Sequence, residues 1–172
     1  MPTKKGAGGR QQNYDSHTGR FTKTDYSKLY PPREPSRKEK AQKRELARRE
    51  ELRNRASNSK DPLLFDVFLA IENELPGSVL FVNETRDDPF LGKPRELDII
   101  TKKCLIEIKT GKASRRLKQL QGQQQYAKHI GKQHVLYAPD IHNNTFKDYE
   151  KNGITIKKTI NELLQYIKEY EK

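Results

Sequence analysis

The sequence predicts an α/β fold, in which a central mixed β-sheet is flanked by helices and preceded by a basic N-terminal arm. Apolar residues follow helical spacing in residues 63–75 and 160–167, whereas the short apolar runs at 78–84, 97–108, 134–139 and 154–158 are typical of strands. The charge is uneven as well. The first 60 of the 172 residues carry 17 Lys and Arg against 7 Asp and Glu, and the remainder carries 18 against 16. The folded core is therefore expected in residues 61–172.

The N-terminal third divides into two segments. Residues 1–36 are poor in aliphatic side chains and rich in Gly, Pro and basic residues, which predicts a disordered basic arm. Residues 37–57 have the composition of a charged helix, and residues 37–60 as a whole are interpreted as a charged helix or linker. Its apolar content predicts no buried face. Two interpretations stay open, a solvated tether and an arm that grips phosphates through its Lys and Arg side chains.

The predicted core elements have recognisable boundaries. Asp61 and Pro62 are a good N-cap and first-turn pair for a helix that Pro76 and Gly77 end. Thr159 and Glu162 form a capping box for the last helix. Between them we expect, in order, a strand at 78–84, a hairpin at 95–109, a helix at 113–130, a strand at 134–139 and a short strand at 154–158.

Composition excludes several kinds of protein. Cys104 is the only cysteine, so neither an intramolecular disulfide nor a thiolate zinc cluster can form, and we expect Cys104 to be a small buried hydrophobe. The four histidines lack the spacing of metal ligands. No apolar run reaches the roughly 18 residues of a membrane span, and no secretory signal is evident. We therefore expect a soluble, cytoplasmic protein without a membrane partner.

The hairpin RELDIITKKCLIEIKTG, residues 95–111, places acidic residues inside apolar strands. A turn at Lys102–Lys103 would set Ile99 opposite Ile106 and Asp98 opposite Glu107. Because side chains alternate, Asp98, Glu107 and Lys109 should share one face, and Leu97, Ile99, Ile106 and Ile108 the other. Opposed carboxylates repel each other unless a cation neutralises them, and Mg²⁺ is commonly held by one or two carboxylates with water and phosphate. An ordinary hairpin with a Glu96–Lys109 ion pair is the alternative.

Asp98 followed by Glu107-Ile108-Lys109 resembles the active-site core of the PD-(D/E)xK nuclease superfamily, although no proline directly precedes Asp98. The resemblance covers about residues 61–140 and is similar to the RecB-like branch and to bacterial toxin nucleases. It implies a restriction-endonuclease-like core, Mg²⁺ or Mn²⁺ as cofactor, Asp98 and Glu107 as metal ligands, and Lys109 as a catalytic residue in phosphodiester hydrolysis.

Further site residues are predicted around this core. The helix at 113–130 has an apolar stripe in which Gln124 occupies a core-facing position, and a glutamine borders the site in RecB-like enzymes. Gln123, Gln124 and Gln125 all precede Tyr126, so the choice among them stays open; Gln121 is the alternate, and a polar helix edge is the other interpretation. Glu72 or Glu74 on the first helix could supply an extra acid, although for each of them a place on the solvated face of the helix is the preferred interpretation. Three basic residues could bind substrate phosphates or could be surface charge: Lys112, Arg115 and Arg116.

The sequence is thus interpreted as a metal-dependent nuclease whose partner is nucleic acid, with DNA preferred over RNA. A homodimer, and an immunity protein if the chain is a toxin, are further partners to consider. The alternative function is a non-catalytic basic nucleic-acid-binding or phage-structural protein, in which the basic arm is the working part.

Overall fold

The computed structural model describes residues 34–110 and 117–172, together with the backbone of residues 12–15 and 20–23. The chain divides into two units, residues 1–42 and 43–172. Most of the predicted disordered arm, residues 1–36, lies outside the described residues. Within it, however, β1 (Gln12–Asp15) and β2 (Arg20–Lys23) pair as antiparallel strands, which the sequence analysis did not predict. Four residues ending in Gly19 separate them, a common hairpin length.

The second unit contains a five-stranded mixed sheet in the order β3-β4-β5-β6-β7. The pairs β3–β4 and β4–β5 are antiparallel, whereas β5–β6 and β6–β7 are parallel. The predicted α/β class with a mixed sheet is therefore confirmed. The strands are β3 (Val79–Asp88), β4 (Lys93–Thr101), β5 (Cys104–Ile108), β6 (Gln133–Tyr137) and β7 (Ile156–Lys157).

Helices cover both faces of the sheet. The helices of the described residues are α1 (Arg37–Ser57), α2 (Pro62–Glu74), α3 (Leu117–His129), α4 (Asn143–Lys151) and α5 (Ile160–Glu171). One face packs against α2, α5 and the second half of α1 in a cluster centred on Ile99, Ile106 and Val135. The opposite face packs against α3 and α4 through Leu105 and Leu136, among others. Both faces are buried, as parallel connections through helices require.

Helix α1 is more than a tether. Leu52 and Ala56, one turn apart, are buried in the same core cluster as the sheet, and the Arg48 Nη2 atom donates a 2.5 Å hydrogen bond to the carbonyl of Val79. The expectation that this helix has no buried face is therefore wrong. Two apolar residues one turn apart are sufficient to form a buried face, because the aliphatic parts of neighbouring arginine side chains can also cover apolar surface.

Several local predictions are confirmed, and one helix, α4, was not predicted. Asp61 caps α2 by accepting a hydrogen bond from the Leu63 amide, and the Thr159–Glu162 capping box is present. Cys104 is fully buried, as expected. Helix α4 was not predicted, because its sequence NNTFKDYEK offers only Phe146 and Tyr149 as apolar residues. Among the described residues, no helix combines the length and apolar character that crossing a bilayer demands.

The packing of α1 can be tested with two leucines of the same helix. Leu52 is 5 % exposed and Leu46 is 67 % exposed. We expect Leu52→Ala to lower the free energy of unfolding by about 2–4 kcal/mol, through lost burial and a residual cavity, and Leu46→Ala to change it by less than about 0.5 kcal/mol. Urea denaturation followed by circular dichroism measures both. Equal, small effects would show that α1 contributes nothing to the core.

Candidate functional site

The β4–β5 hairpin has the predicted register. Ile99 pairs with Ile106 and Ile100 with Leu105, so the turn falls at Lys102–Lys103. Asp98 and Glu107 occupy the next position in this register. The two strands therefore bring the two acids together, as the sequence predicted.

At that position the side chain of Asp98 replaces a backbone partner. The amide of Ile108 donates a 2.7 Å hydrogen bond to Oδ2 of Asp98, and the amide of Lys109 donates to the carbonyl of Tyr137 on β6. The Asp98 carboxylate thus binds the edge of β5 directly. It does not project from the face of the sheet as simple alternation would require, because it has taken over a hydrogen bond at the end of the ladder.

The neighbouring strand also departs from regular alternation. Asn83, which lies between the Val82–Ile99 and Glu84–Leu97 pairs, has a φ of 48°, in the left-handed region. Beyond this point Leu97 packs in the cluster of Leu105 on the α3 side, whereas Ile99 packs on the other face. The prediction that Leu97 and Ile99 share a face is therefore wrong, and the change of face falls at Asp98, opposite Asn83.

Glu107 is buried, at 2 % exposure, yet both of its oxygens have partners. Lys109 forms an ion pair with Oε1. The Nε2 atom of Gln123 donates a 2.5 Å hydrogen bond to Oε2. Lys109 pairs with Glu107 and not with Glu96, so the simple cross-strand ion pair of an ordinary hairpin is not formed. The three groups of the predicted motif, Asp98, Glu107 and Lys109, meet in one place.

The glutamine of the site is Gln123, where the sequence analysis chose Gln124. Gln124 Nε2 donates to the carbonyl of Gly153, away from Glu107. The core-facing stripe of α3 includes Leu120, Gln123 and Ala127, a three-residue step followed by a four-residue step. The predicted stripe has a four-residue step first and a three-residue step second, and it therefore places Gln124, the next residue, at the core-facing position. Gln123 Oε1 is buried without a hydrogen-bond partner.

Asp98 is the less stabilised of the two acids. Burial, followed by the charges of Glu107 and Asp61, raises the pKa of Asp98 to about 7, against the opposing effects of the Ile108 hydrogen bond and of Lys109. Near neutral pH the Asp98 carboxyl is therefore close to its protonation midpoint, and carboxyl groups with raised pKa values are common at functional sites.

The predicted extra acids lie at the wrong end of α2. Glu72 accepts a 3.3 Å hydrogen bond from the amide of Gly77, and Glu74 pairs with Lys168 at 2.7 Å. Asp61 caps the opposite end, about 16–20 Å away along the helix axis. Asp61 is the acid at the start of this helix whose charge contributes to raising the pKa of Asp98, after burial and the charge of Glu107. Its sequence signal, an Asp-Pro cap, was interpreted as a helix start alone.

The predicted phosphate-binding residues Lys112, Arg115 and Arg116 lie outside the described residues.

The carboxylate oxygens of Asp98 and Glu107 are the type of ligand that suits a hard divalent cation, one that keeps part of its water shell. The described residues contain no group of three or more His, Cys, Asp or Glu side chains arranged to hold a metal. Asp98 and Glu107 are the two carboxylates that could hold such an ion, with water and phosphate as its other ligands, a pattern common for Mg²⁺. The two neighbouring carboxylates and the Gln123 oxygen, which has no hydrogen-bond partner, are consistent with such a set of ligands.

Asp98 should make stability depend on pH. The pKa of Asp98 is raised in the folded state, so its ionisation lowers stability as pH rises from about 4 to about 7. Asp98→Asn keeps an acceptor for the Ile108 amide but cannot ionise. In EDTA, we expect the free energy of unfolding of the variant to rise relative to that of the unsubstituted chain between about pH 4 and pH 7, by up to about 4 kcal/mol. Above about pH 7 the difference between the two proteins should stay constant.

Urea titrations of both proteins between pH 4 and 8 measure this difference. A difference that does not vary with pH would show that the Asp98 carboxylate is not held in the described environment.

Comparison of the chain with protein-family models, with curated proteins and with solved structures gave no match.

Proposed function

We propose that this protein is a Mg²⁺- or Mn²⁺-dependent nuclease with a restriction-endonuclease-like core, and that it hydrolyses phosphodiester bonds in DNA. The observation that carries the proposal is the meeting of Asp98, Glu107, Lys109 and Gln123 where β4 and β5 separate. A structural role alone gives no reason to bury two neighbouring carboxylates, an arrangement in which burial and the charge of Glu107 raise the pKa of Asp98 to about 7.

Each side chain has a distinct task in this proposal. Asp98 and Glu107 hold the cation, which when bound supplies Lewis-acid stabilisation of charge on the phosphate. Gln123 fixes the orientation of the Glu107 carboxylate from α3. Lys109, which is partly exposed and ion-paired with Glu107, donates hydrogen bonds to a phosphate oxygen and to the attacking water. The buried surroundings strengthen these interactions, since water competes less for them.

The basic residues outside the core fit the same substrate. The whole chain has a formal net charge of +12, and most of the excess lies in the first 60 residues. Such a segment attracts a polyanion without sequence preference and loses affinity as the salt concentration rises. Binding strength and cleavage should therefore respond to different substitutions.

The proposal is tested by cleavage of plasmid DNA and of single-stranded RNA with Mg²⁺, Mn²⁺ or EDTA. We expect DNA cleavage that EDTA abolishes and that Asp98→Asn, Glu107→Gln and Lys109→Ala each reduce by about 10²–10³-fold, because each removes a charged group from the reacting centre. Since Asp98→Asn should be at least as stable as the unsubstituted chain near neutral pH, its loss of activity cannot be attributed to unfolding.

Adjacent glutamines provide the matched control. Gln123→Ala should reduce cleavage at least tenfold because Glu107 loses its orienting donor, whereas Gln124→Ala should leave cleavage within about twofold. Full cleavage by all three charge variants would refute the site. Salt-sensitive DNA binding with no cleavage under any metal condition would favour the non-catalytic nucleic-acid-binding protein.

A further inference from the structure

The turn between β3 and β4 exposes two large apolar side chains. We call residues 89–92, Pro89-Phe90-Leu91-Gly92, the hairpin tip. Phe90 is 46 % exposed and Leu91 is 47 % exposed, at the end of the long β3–β4 hairpin. Two large apolar side chains left half-exposed side by side forgo part of the stabilisation that burial would give, so their position calls for a reason.

The hairpin tip is held by a buried ion pair. Oδ1 of Asp88 accepts hydrogen bonds from the amides of Phe90 and Leu91, at 2.8 and 3.2 Å. Oδ2 of the same side chain pairs with Nε of Arg95 at 2.5 Å, and both side chains are almost fully buried. Gly92 adopts a left-handed φ of 62°, which completes the turn. The two apolar side chains are thus displayed by a fixed turn.

The same ion pair connects the hairpin tip to α3. Arg95 Nη1 donates to the carbonyl of Gln119 at 3.5 Å, and a Cβ atom at Gly122 would lie only 3.0 Å from Nη2. The ring of Phe90 meets the ring of His129 edge-on, with centroids 5.5 Å apart. Helix α3 therefore supports the hairpin tip near its C-terminal end and contacts Glu107 through Gln123 in its middle.

The distance from the hairpin tip to the acids suits a nucleic acid. Residues 92–98 run along β4 from the tip to Asp98, about 20 Å at the rise of an extended strand. That length corresponds to roughly six base steps of B-form DNA, at about 3.4 Å per step. A single bound duplex can therefore reach both places.

The size and charge of the patch also favour nucleic acid over protein. Two half-exposed side chains offer roughly 200 Å² at most, far below the ~800 Å² per partner of a stable protein interface. One aromatic and one aliphatic side chain do suffice to stack on, or wedge between, bases. Lys93, which follows the tip in the chain, and His129, whose ring contacts Phe90, are both exposed, against one exposed acid next to the tip, Asp87.

We propose that Phe90 and Leu91 insert against unstacked bases of the nucleic acid bound at the Asp98–Glu107 site. This inference rests on the proposed function and adds a second contact to it. The hairpin tip positions the nucleic acid about six base steps from the scissile bond, by contact with bases and not with phosphates.

The test uses the full chain carrying Glu107→Gln and a set of duplexes with 2-aminopurine at successive positions from the cleaved bond. Unstacking raises the fluorescence of this base. We expect a rise of at least threefold at one or two positions five to seven steps away. Adding Phe90→Ala and Leu91→Ala should abolish the rise and weaken binding by no more than about threefold, because phosphate contacts dominate affinity. Leu46→Ala, another exposed apolar residue, is the control and should change neither.

In the otherwise unsubstituted chain, the paired tip substitutions should slow cleavage by about tenfold or more, in line with the loss of one stacked base. Thermal melting checks that the exposed substitutions leave the fold intact. Absence of any fluorescence rise, or an equal rise in the tip variant, would overturn the inference. So would a change from dimer to monomer in sedimentation with cleavage unaffected, which would assign the tip to self-association.

The two proposals fail separately. Glu107-dependent cleavage without tip-dependent unstacking would refute the base contact alone. Tip-dependent unstacking without metal-dependent cleavage would refute the nuclease and retain the contact with bases.

Discussion

The hydrogen bond from the Ile108 amide to the Asp98 carboxylate is the interaction on which the candidate site depends. A sheet built for stability alone would give that amide a backbone carbonyl and leave Asp98 in solvent. Here the side chain ends the β4–β5 ladder and is held beside Glu107, within reach of the charge of Asp61 at the start of α2. Two strands and a helix end therefore converge on one small acidic region. A departure from regular structure that raises electrostatic energy is typical of a site maintained for function.

The two acids are stabilised unequally, and this inequality defines their roles. The Lys109 ammonium group pairs with one oxygen of Glu107, and the Gln123 side-chain amide donates to the other. The orientation of the Glu107 carboxylate is therefore fixed from both β5 and α3. Burial, together with the charges of Glu107 and Asp61, raises the pKa of Asp98 to about 7, although one backbone amide donates to its carboxylate. The pair therefore has one firmly placed carboxylate and one whose charge is costly until a cation or a proton balances it. That imbalance is where binding energy for a divalent ion would come from.

The sequence predicted the hairpin register and the α/β class because these follow from strong periodic signals, such as Ile99 facing Ile106. It did not predict the face of Leu97, because nothing local in the sequence marks the departure from regular alternation between Leu97 and Ile99. Gln124 was preferred to Gln123 because helical spacing allows steps of three or four, and only tertiary packing selects between them. Asp61 was missed for a similar reason. A capping residue and a site residue give the same sequence signal, and only the fold places that cap beside Asp98.

Helix α3 sets the spacing between the acids and the hairpin tip. It holds Glu107 through Gln123, and one turn earlier its Gln119 carbonyl accepts from Arg95, whose guanidinium is paired with Asp88 under the tip. Gly122 lies between these contacts, where a larger residue would press on the Arg95 guanidinium. A buried ion pair of this kind gives little net stability, but it strongly resists separation because either partner alone would be an uncompensated buried charge. The distance between the Asp98–Glu107 pair and the exposed Phe90 and Leu91 is thus fixed by a helix, a strand and a buried ion pair. A nucleic acid that contacts both would be held in one register relative to the carboxylates.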